Sequence, residues 1–132
     1  MPQVSIQVRV PFFDVDSTQR IHYTAMMRYM EIAEHELMRS LGFPYATTLQ
    51  DISCPRVHVS CDYRSAIRYD EILTIEARVD HVGRSSWTIA YTARVAPEGV
   101  VAAEGKMTMV AIDVQTERAR TLPDELRSAL TD

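Results

Sequence analysis

Apolar and polar residues alternate at the start of the chain, where Val4, Ile6, Val8 and Val10 fall between Gln3, Ser5, Gln7 and Arg9. A period of two predicts a half-buried strand, which Pro11 ends by withdrawing a backbone donor. From Thr24 to Leu41 the period becomes helical. Met26, Met30, Ala33 and Leu37 fall on one stripe, and Met27, Tyr29, Ile32 and Met38 widen it around much of the circumference. Gly42 and Pro44 supply the stop, so a helix of about five turns that other structure must wrap is expected. After a loop through Ser53-Cys54-Pro55 the period of two returns in Val57, Val59, Cys61 and Tyr63, then in Leu73, Ile75, Ala77 and Val79. Two more strands follow: Trp87, Ile89, Tyr91, Ala93 and Val95, then, past the turn Ala96-Pro97-Glu98-Gly99, Met107, Met109 and Ala111. Pro123 as a first helical residue, with Asp124 and Glu125 in its first turn, predicts a short closing helix.

One strand, one long helix and then consecutive strands predict a single α+β domain over residues 1–132, its five-stranded antiparallel sheet curved around one apolar helix. Such a sheet leaves an open edge. Pairing with a second copy would cover it, so a homodimer, or a homotetramer made as a dimer of dimers, is expected. With 14 basic and 18 acidic residues the net charge is −4, which excludes the cationic field that holds nucleic acid. No apolar run approaches the ~20 residues that cross a bilayer, and the alternating N-terminal segment has no signal-peptide core, so a cytoplasmic protein without membrane contact is expected. Cys54 and Cys61 make no C-x-x-C pattern and read as two free, buried thiols. With only His58 between them, four zinc ligands cannot be named.

Candidate chemistry concentrates between Phe12 and Thr24, where Asp14 and Asp16 stand among Phe12, Phe13, Val15 and Ile21. A carboxylate desolvated by such neighbours becomes a stronger base unless donors compensate. The free N–H groups of the helix start lie a few residues further on, and they can hold an oxygen on which negative charge develops. A base and an oxyanion site would then be neighbours. An N-capped acidic turn accounts for the same residues with no chemistry at all.

The series Asp14-Val15-Asp16, Arg20-Ile21-His22-Tyr23, Met27-Arg28-Tyr29-Met30-Glu31-Ile32-Ala33-Glu34 and Leu41-Gly42 continues with Tyr63-Arg64-Ser65-Ala66, Tyr69-Asp70-Glu71-Ile72-Leu73 and Val82-Gly83-Arg84-Ser85-Ser86-Trp87. In order and spacing, over nearly the whole chain, it resembles the acyl-CoA thioesterases of the 4-hydroxybenzoyl-CoA thioesterase type. The resemblance implies the hot-dog fold and hydrolysis of a CoA or carrier-protein thioester to free acid and thiol. It implies that Asp16 is the catalytic carboxylate, attacking the thioester carbonyl or activating a water, and that the backbone N–H near Tyr23 polarises that carbonyl. It also implies a site between subunits, with pocket residues from a partner strand such as Val57 to Tyr63. A thioester is an activated acyl group, so one carboxylate and one helix-end donor suffice without a triad, a metal or a cofactor. By the same resemblance Arg84, Ser85 and Ser86 lie near the CoA phosphates, with Arg64 and Arg68 as weaker anion contacts. Many relatives carry glycine where this chain has Gln19, a position that marks a turn or close ligand approach. Gln19 reshapes the pocket mouth, donates to the thioester, or marks altered activity.

Asp14 is expected to fix the local turn through backbone hydrogen bonds. Glu31 and Glu34 read as solvated helical acids, Glu31 being the alternative to Asp16 because another branch of these thioesterases uses a helix-borne acid. His22 positions substrate, carries a proton or simply packs, whereas His35 and His81 read as surface residues and His58 as facing away from Val57 and Val59. The four methionines of the helix fill the core or line a deformable acyl channel. Two other functions suit the same fold. One is an enoyl-thioester hydratase or dehydratase working through His22 and an acid, although no His-containing hydratase signature is present; the other is a non-catalytic acyl-thioester or lipid-binding module.

Overall fold

Each predicted period becomes an element in the computed structural model, which describes residues 1–132. Strand β1 spans Gln3–Arg9 and helix α1 Ala25–Ser40, followed by β2 (Ile52–Ser53), β3 (Arg56–Tyr63), β4 (Ile72–Val82), β5 (Ser86–Val95), β6 (Val100–Val110), β7 (Ile112–Asp113) and α2 (Asp124–Thr131). Five of the strands form one antiparallel sheet in the order β1-β4-β5-β6-β3, and β2 pairs with β7 in a separate two-stranded ribbon. No helix is long and apolar enough to cross a membrane.

Helix α1 buries Ala25, Met26, Tyr29, Met30, Ala33, Leu37 and Met38, so three of its four methionines are core residues and only Met27 stays half-buried. The sheet meets it with Leu73, Ile75, Ala77 and Val79 of β4 and Trp87, Ile89, Tyr91 and Ala93 of β5, all in one core. Gly105 of β6 marks a close approach: a Cβ there would stand 2.5 Å from the Ser60 carbonyl oxygen and 2.9 Å from Met30 Sδ. Helix α2 closes the far end by burying Leu126 and Leu130.

Differences from expectation are local and have local causes. Pro123 is the N-cap of α2, one position outside the helix. The last long strand begins at Val100, because the alternation of small residues such as Ala102 and Ala103 is easily missed before Met107. On β3, Val57 and Val59 are 62% and 46% exposed. The period of two predicts one covered face for them, but β3 is an edge strand with a neighbour on one side only. Cys54 and Cys61 are free and only half-buried.

Candidate active site

Strand β1 ends at Arg9, the backbone of the next residue, Val10, bonds Glu71 and Asp70, and the chain then makes a short 3-10 turn, Phe12–Asp14. The loop that follows closes on itself: Val15 bridges Ile21, the Asp16 N–H donates to the Arg20 carbonyl at 2.8 Å and the Gln19 N–H to the Asp16 carbonyl at 3.0 Å. Gln19 has φ 65°, so this is a left-handed position of the kind glycine occupies most easily. A second clasp holds the loop to the segment before β4, through Ile21 N–H to the Ile67 carbonyl at 2.8 Å and the bridge Arg20 to Arg68.

This loop divides the two carboxylates. Asp14 is the buried one, 3% exposed. It takes Arg28 on Oδ1 and the Tyr29 hydroxyl on Oδ2 at 2.5 Å, while its carbonyl receives the His22 N–H at 2.7 Å. Burial alone would raise its pKa, but the hydrogen bonds from Arg28 and Tyr29 and the guanidinium charge outweigh burial and hold it below the ordinary carboxylate value. Asp14 thus ties the loop to α1 mainly through side chains, not through the backbone bonds expected of it. Burial and this partner push the Tyr29 phenol upward.

Asp16, expected to be desolvated and more basic, is half-exposed instead. Its Oδ1 accepts the Thr18 N–H at 2.7 Å and the Thr18 hydroxyl at 2.5 Å, and these bonds hold its pKa below the ordinary value. Stabilisation of the anion by the turn's own donors overrides the apolar neighbours. Oδ2 has no protein partner.

The helix head supplies the second component. Thr24 caps α1 without a side-chain bond to the helix, and the Tyr23 N–H donates to no protein acceptor. His22 is spent locally, its Nδ1 2.7 Å from the Thr24 hydroxyl and its ring stacked on Tyr23 at 4.6 Å. A cleft of about 320 Å³ joins Asp16 to Ile21, Tyr23, Tyr63, Arg64 and Ile67, and the Tyr63 hydroxyl donates to the Tyr23 carbonyl across it. The arrangement brings an ionised carboxylate residue and a residue with a free backbone donor to one partly apolar space. No cluster of three or more His, Cys, Asp or Glu side chains is placed to hold a metal.

Of the residues singled out in the sequence, Asp16, Ile21, Tyr23 and Arg64 line the cleft; Gln19, His22 and Arg68 do not. Arg84, Ser85 and Ser86 do not join it within one chain. They follow β4, whose 11 residues carry the backbone about 30 Å from the end where β1 and the loop meet it. There the Arg84 carbonyl is clasped by the Leu122 N–H and by Arg127 at 2.8 Å. Thr18 is a site partner that the sequence analysis does not name, although a threonine two residues after an aspartate is its local signal, and Tyr63, expected to reach the site from a partner strand, lines the cleft of its own chain. Glu34, read as solvated, is wholly buried, because Arg56 and Tyr45 converge on it from distant segments.

The sequence profile described as the thioesterase superfamily matches residues 18–102, and the chain belongs to that superfamily. Over 125 residues it is 27% identical to the long-chain acyl-CoA thioesterase FadM of Escherichia coli, covering 94% of each chain. Among solved structures, a 1,4-dihydroxy-2-naphthoyl-CoA thioesterase from Synechocystis superposes with a TM-score of 0.91 at 16% identity, covering 98% of this chain and 96% of the other. A 4-hydroxybenzoyl-CoA thioesterase bound to 4-hydroxybenzoyl-CoA superposes with a TM-score of 0.85 at 19% identity, covering 98% and 99%. The fold is therefore the hot-dog fold expected from the residue series.

Proposed function

We propose that this chain is an acyl-CoA thioesterase acting on a CoA or carrier-protein thioester, with Asp16 as nucleophile or general base and the Tyr23 N–H as the donor to the thioester oxygen. One observation carries the reading: Asp16 and Tyr23, whose backbone N–H has no protein acceptor, line the same cleft. As negative charge moves onto the acyl oxygen, a fixed N–H at a helix start stabilises it without reorganising. Overall the acyl–sulfur bond breaks, water supplies hydroxyl to the acyl carbon, and its proton goes to the departing thiolate. The relatives' names support acyl-CoA as the substrate class.

The working unit in this reading is a cytoplasmic homodimer, or two such dimers, joined along β3 where Val57 and Val59 are bare. Antiparallel pairing of two β3 strands sets the Arg56 end of one against the Tyr63 end of the other. The turn Arg84-Ser85-Ser86 lies at the Arg56 end, since Ser86 pairs Val110 and Arg56 pairs Met109. A partner's turn therefore approaches the Asp16 cleft that the same turn of its own chain cannot reach, which supports Arg84, Ser85 and Ser86 as contacts to the nucleotide end.

The test is thiol release from a panel of acyl- and enoyl-CoAs, with loss of enoyl absorbance followed in parallel. Asp16→Asn should lower kcat by about 10²–10⁴ with the protein still folded. Undiminished thiol release in that variant removes Asp16 from the chemistry, and absorbance loss without thiol would make the protein a hydratase.

A further inference from the structure

The Tyr23 N–H can serve an acyl oxygen only if the head of α1 is held still, and local structure does not hold it. Packing begins at Ala25 and Met26, which are buried, while Tyr23 and Thr24 stand exposed. Thr24 caps the helix without a side-chain bond. The Tyr23 ring stacks on His22, and His22 in turn bonds Thr24, so these three side chains brace only one another. The backbone bonds of residues 22–24 are local as well: His22 donates to Asp14 of the same loop, Ala25 to His22 and Met27 to Thr24. The next tie back along the chain is the Ile21 N–H to the Ile67 carbonyl, two residues before Tyr23.

One bond reaches residues 22–24 from the sheet. The Tyr63 hydroxyl donates to the Tyr23 carbonyl across a separation of 40 residues. Its base is firm: Tyr63 ends β3 opposite Ala103 of β6, and the N–H groups of Arg64 and Ser65 both donate to the carbonyl of Ala102, a core residue. Burial and the neighbouring Cys61 push the Tyr63 phenol upward, so it keeps at neutral pH the proton it donates. Two ties then divide the task. A peptide unit is planar, so the Tyr23 N–H turns with the His22 carbonyl, which the Ala25 N–H holds at 2.9 Å; that bond sets the donor relative to the helix. The Tyr63 bond sets the helix head relative to the sheet, and both tyrosines line the Asp16 cleft.

We infer that Tyr63 is a positioning residue of this site: its hydroxyl fixes the head of α1 so that the Tyr23 N–H meets the acyl oxygen, and it acts through the backbone without touching the reacting atoms. The inference deepens the thioesterase reading and rests on it for what the N–H does, while the clasp itself stands on the geometry. A donor out of place by about 1 Å costs about 10²-fold in rate. The loss falls on kcat, because the bond to the oxygen strengthens only as negative charge develops there.

Tyr63→Phe removes the hydroxyl and keeps the ring. Two readouts are taken on the full chain, at a concentration where light scattering gives wild type and variant the same mass. The first is thiol release from hexanoyl-, decanoyl- and benzoyl-CoA: kcat should fall about 10–100-fold with KM within about threefold, while Tm falls by no more than about 5 °C. The second follows the Tyr23 amide by nuclear magnetic resonance. Its order parameter should drop from about 0.85 to below about 0.6, or relaxation dispersion should appear, with the amides of β4 and β5 unchanged. An undiminished kcat overturns the inference, and so does a rise in KM that accounts for the whole loss. A fall in kcat with the Tyr23 amide as still as in wild type overturns it too, because Tyr63 would then act on the substrate directly. A loosened Tyr23 amide in a protein whose wild-type form releases no thiol from any of these thioesters upholds the clasp and overturns the thioesterase reading instead.

Discussion

Replacing Asp14 by alanine separates the two carboxylates of the loop by what each loses. Asp14 is the sole partner of the Tyr29 hydroxyl, at 2.5 Å, and Tyr29 is itself buried, so its removal strands a phenol in the core at a cost of about 1–3 kcal/mol. The ion pair with Arg28 adds less, about 0.2–1 kcal/mol, because the Arg28 side chain is 56% exposed and screened by water. Together these come to about 1–4 kcal/mol. Unfolding entropy of about 2.1 cal/mol/K per residue makes each kcal/mol worth about 3–4 °C in a chain of 132 residues. The expected result is a fall of about 4–14 °C in Tm, followed by circular dichroism at pH 7. Turnover measured well below that Tm should stay within about tenfold of wild type, while Asp16→Asn loses the larger factor without a comparable fall in Tm. The opposite pattern, turnover abolished in a thermally normal Asp14→Ala and preserved in Asp16→Asn, would refute the division of labour between the two acids.

Other outcomes follow from the same geometry. Because Asp16 is held below its ordinary pKa, kcat/KM should be flat between about pH 5 and 8 and decline only below about pH 4; a limb centred near pH 6 would point to a different ionising group. Asp14 is held low in the same way, so its contribution to stability is complete above the unfolded carboxylate pKa and vanishes as pH falls through the folded one. Wild-type Tm should therefore drop below about pH 4, and Asp14→Asn should flatten that acid limb. At Gln19, with φ 65°, Gln19→Val should destabilise by about 1–2 kcal/mol and Gln19→Gly should not, as read from urea midpoints. Gly105→Ala should cost about 1–3 kcal/mol in the same assay, because its Cβ meets backbone at 2.5 Å.

Periodicity made the frame legible because its signal is repeated many times over. The runs Val4 to Val10, Leu73 to Val79 and Trp87 to Val95 each state the same face four or five times, and α1 differs from its expected limits by one residue at each end. Ile52–Ser53 and Ile112–Asp113 pair over two residues only, too few to show a period. The site was legible where it is sequential: Asp16, Ile21 and Tyr23 lie on one short stretch, and the left-handed turn at Gln19 lies where glycine was expected. It was illegible where it depends on meetings across the chain. Glu34 looks like any helical acid until Arg56 and Tyr45 come to it, and the charge state of Asp16 was misjudged because two donors from Thr18 outweigh four apolar neighbours. Arg84 was read by position in a motif, and only the sheet registers show which end of the molecule that position occupies.

The Tyr63 phenol has one foot on the outermost strand and the other on the residue that leads into the rod. Whatever leans on that border strand reaches the backbone where the proposed acyl-oxygen donor sits. In the assembly proposed above, that border would give the enzyme its own dilution gauge: turnover per chain should fall when copies separate, although no reacting group has been altered.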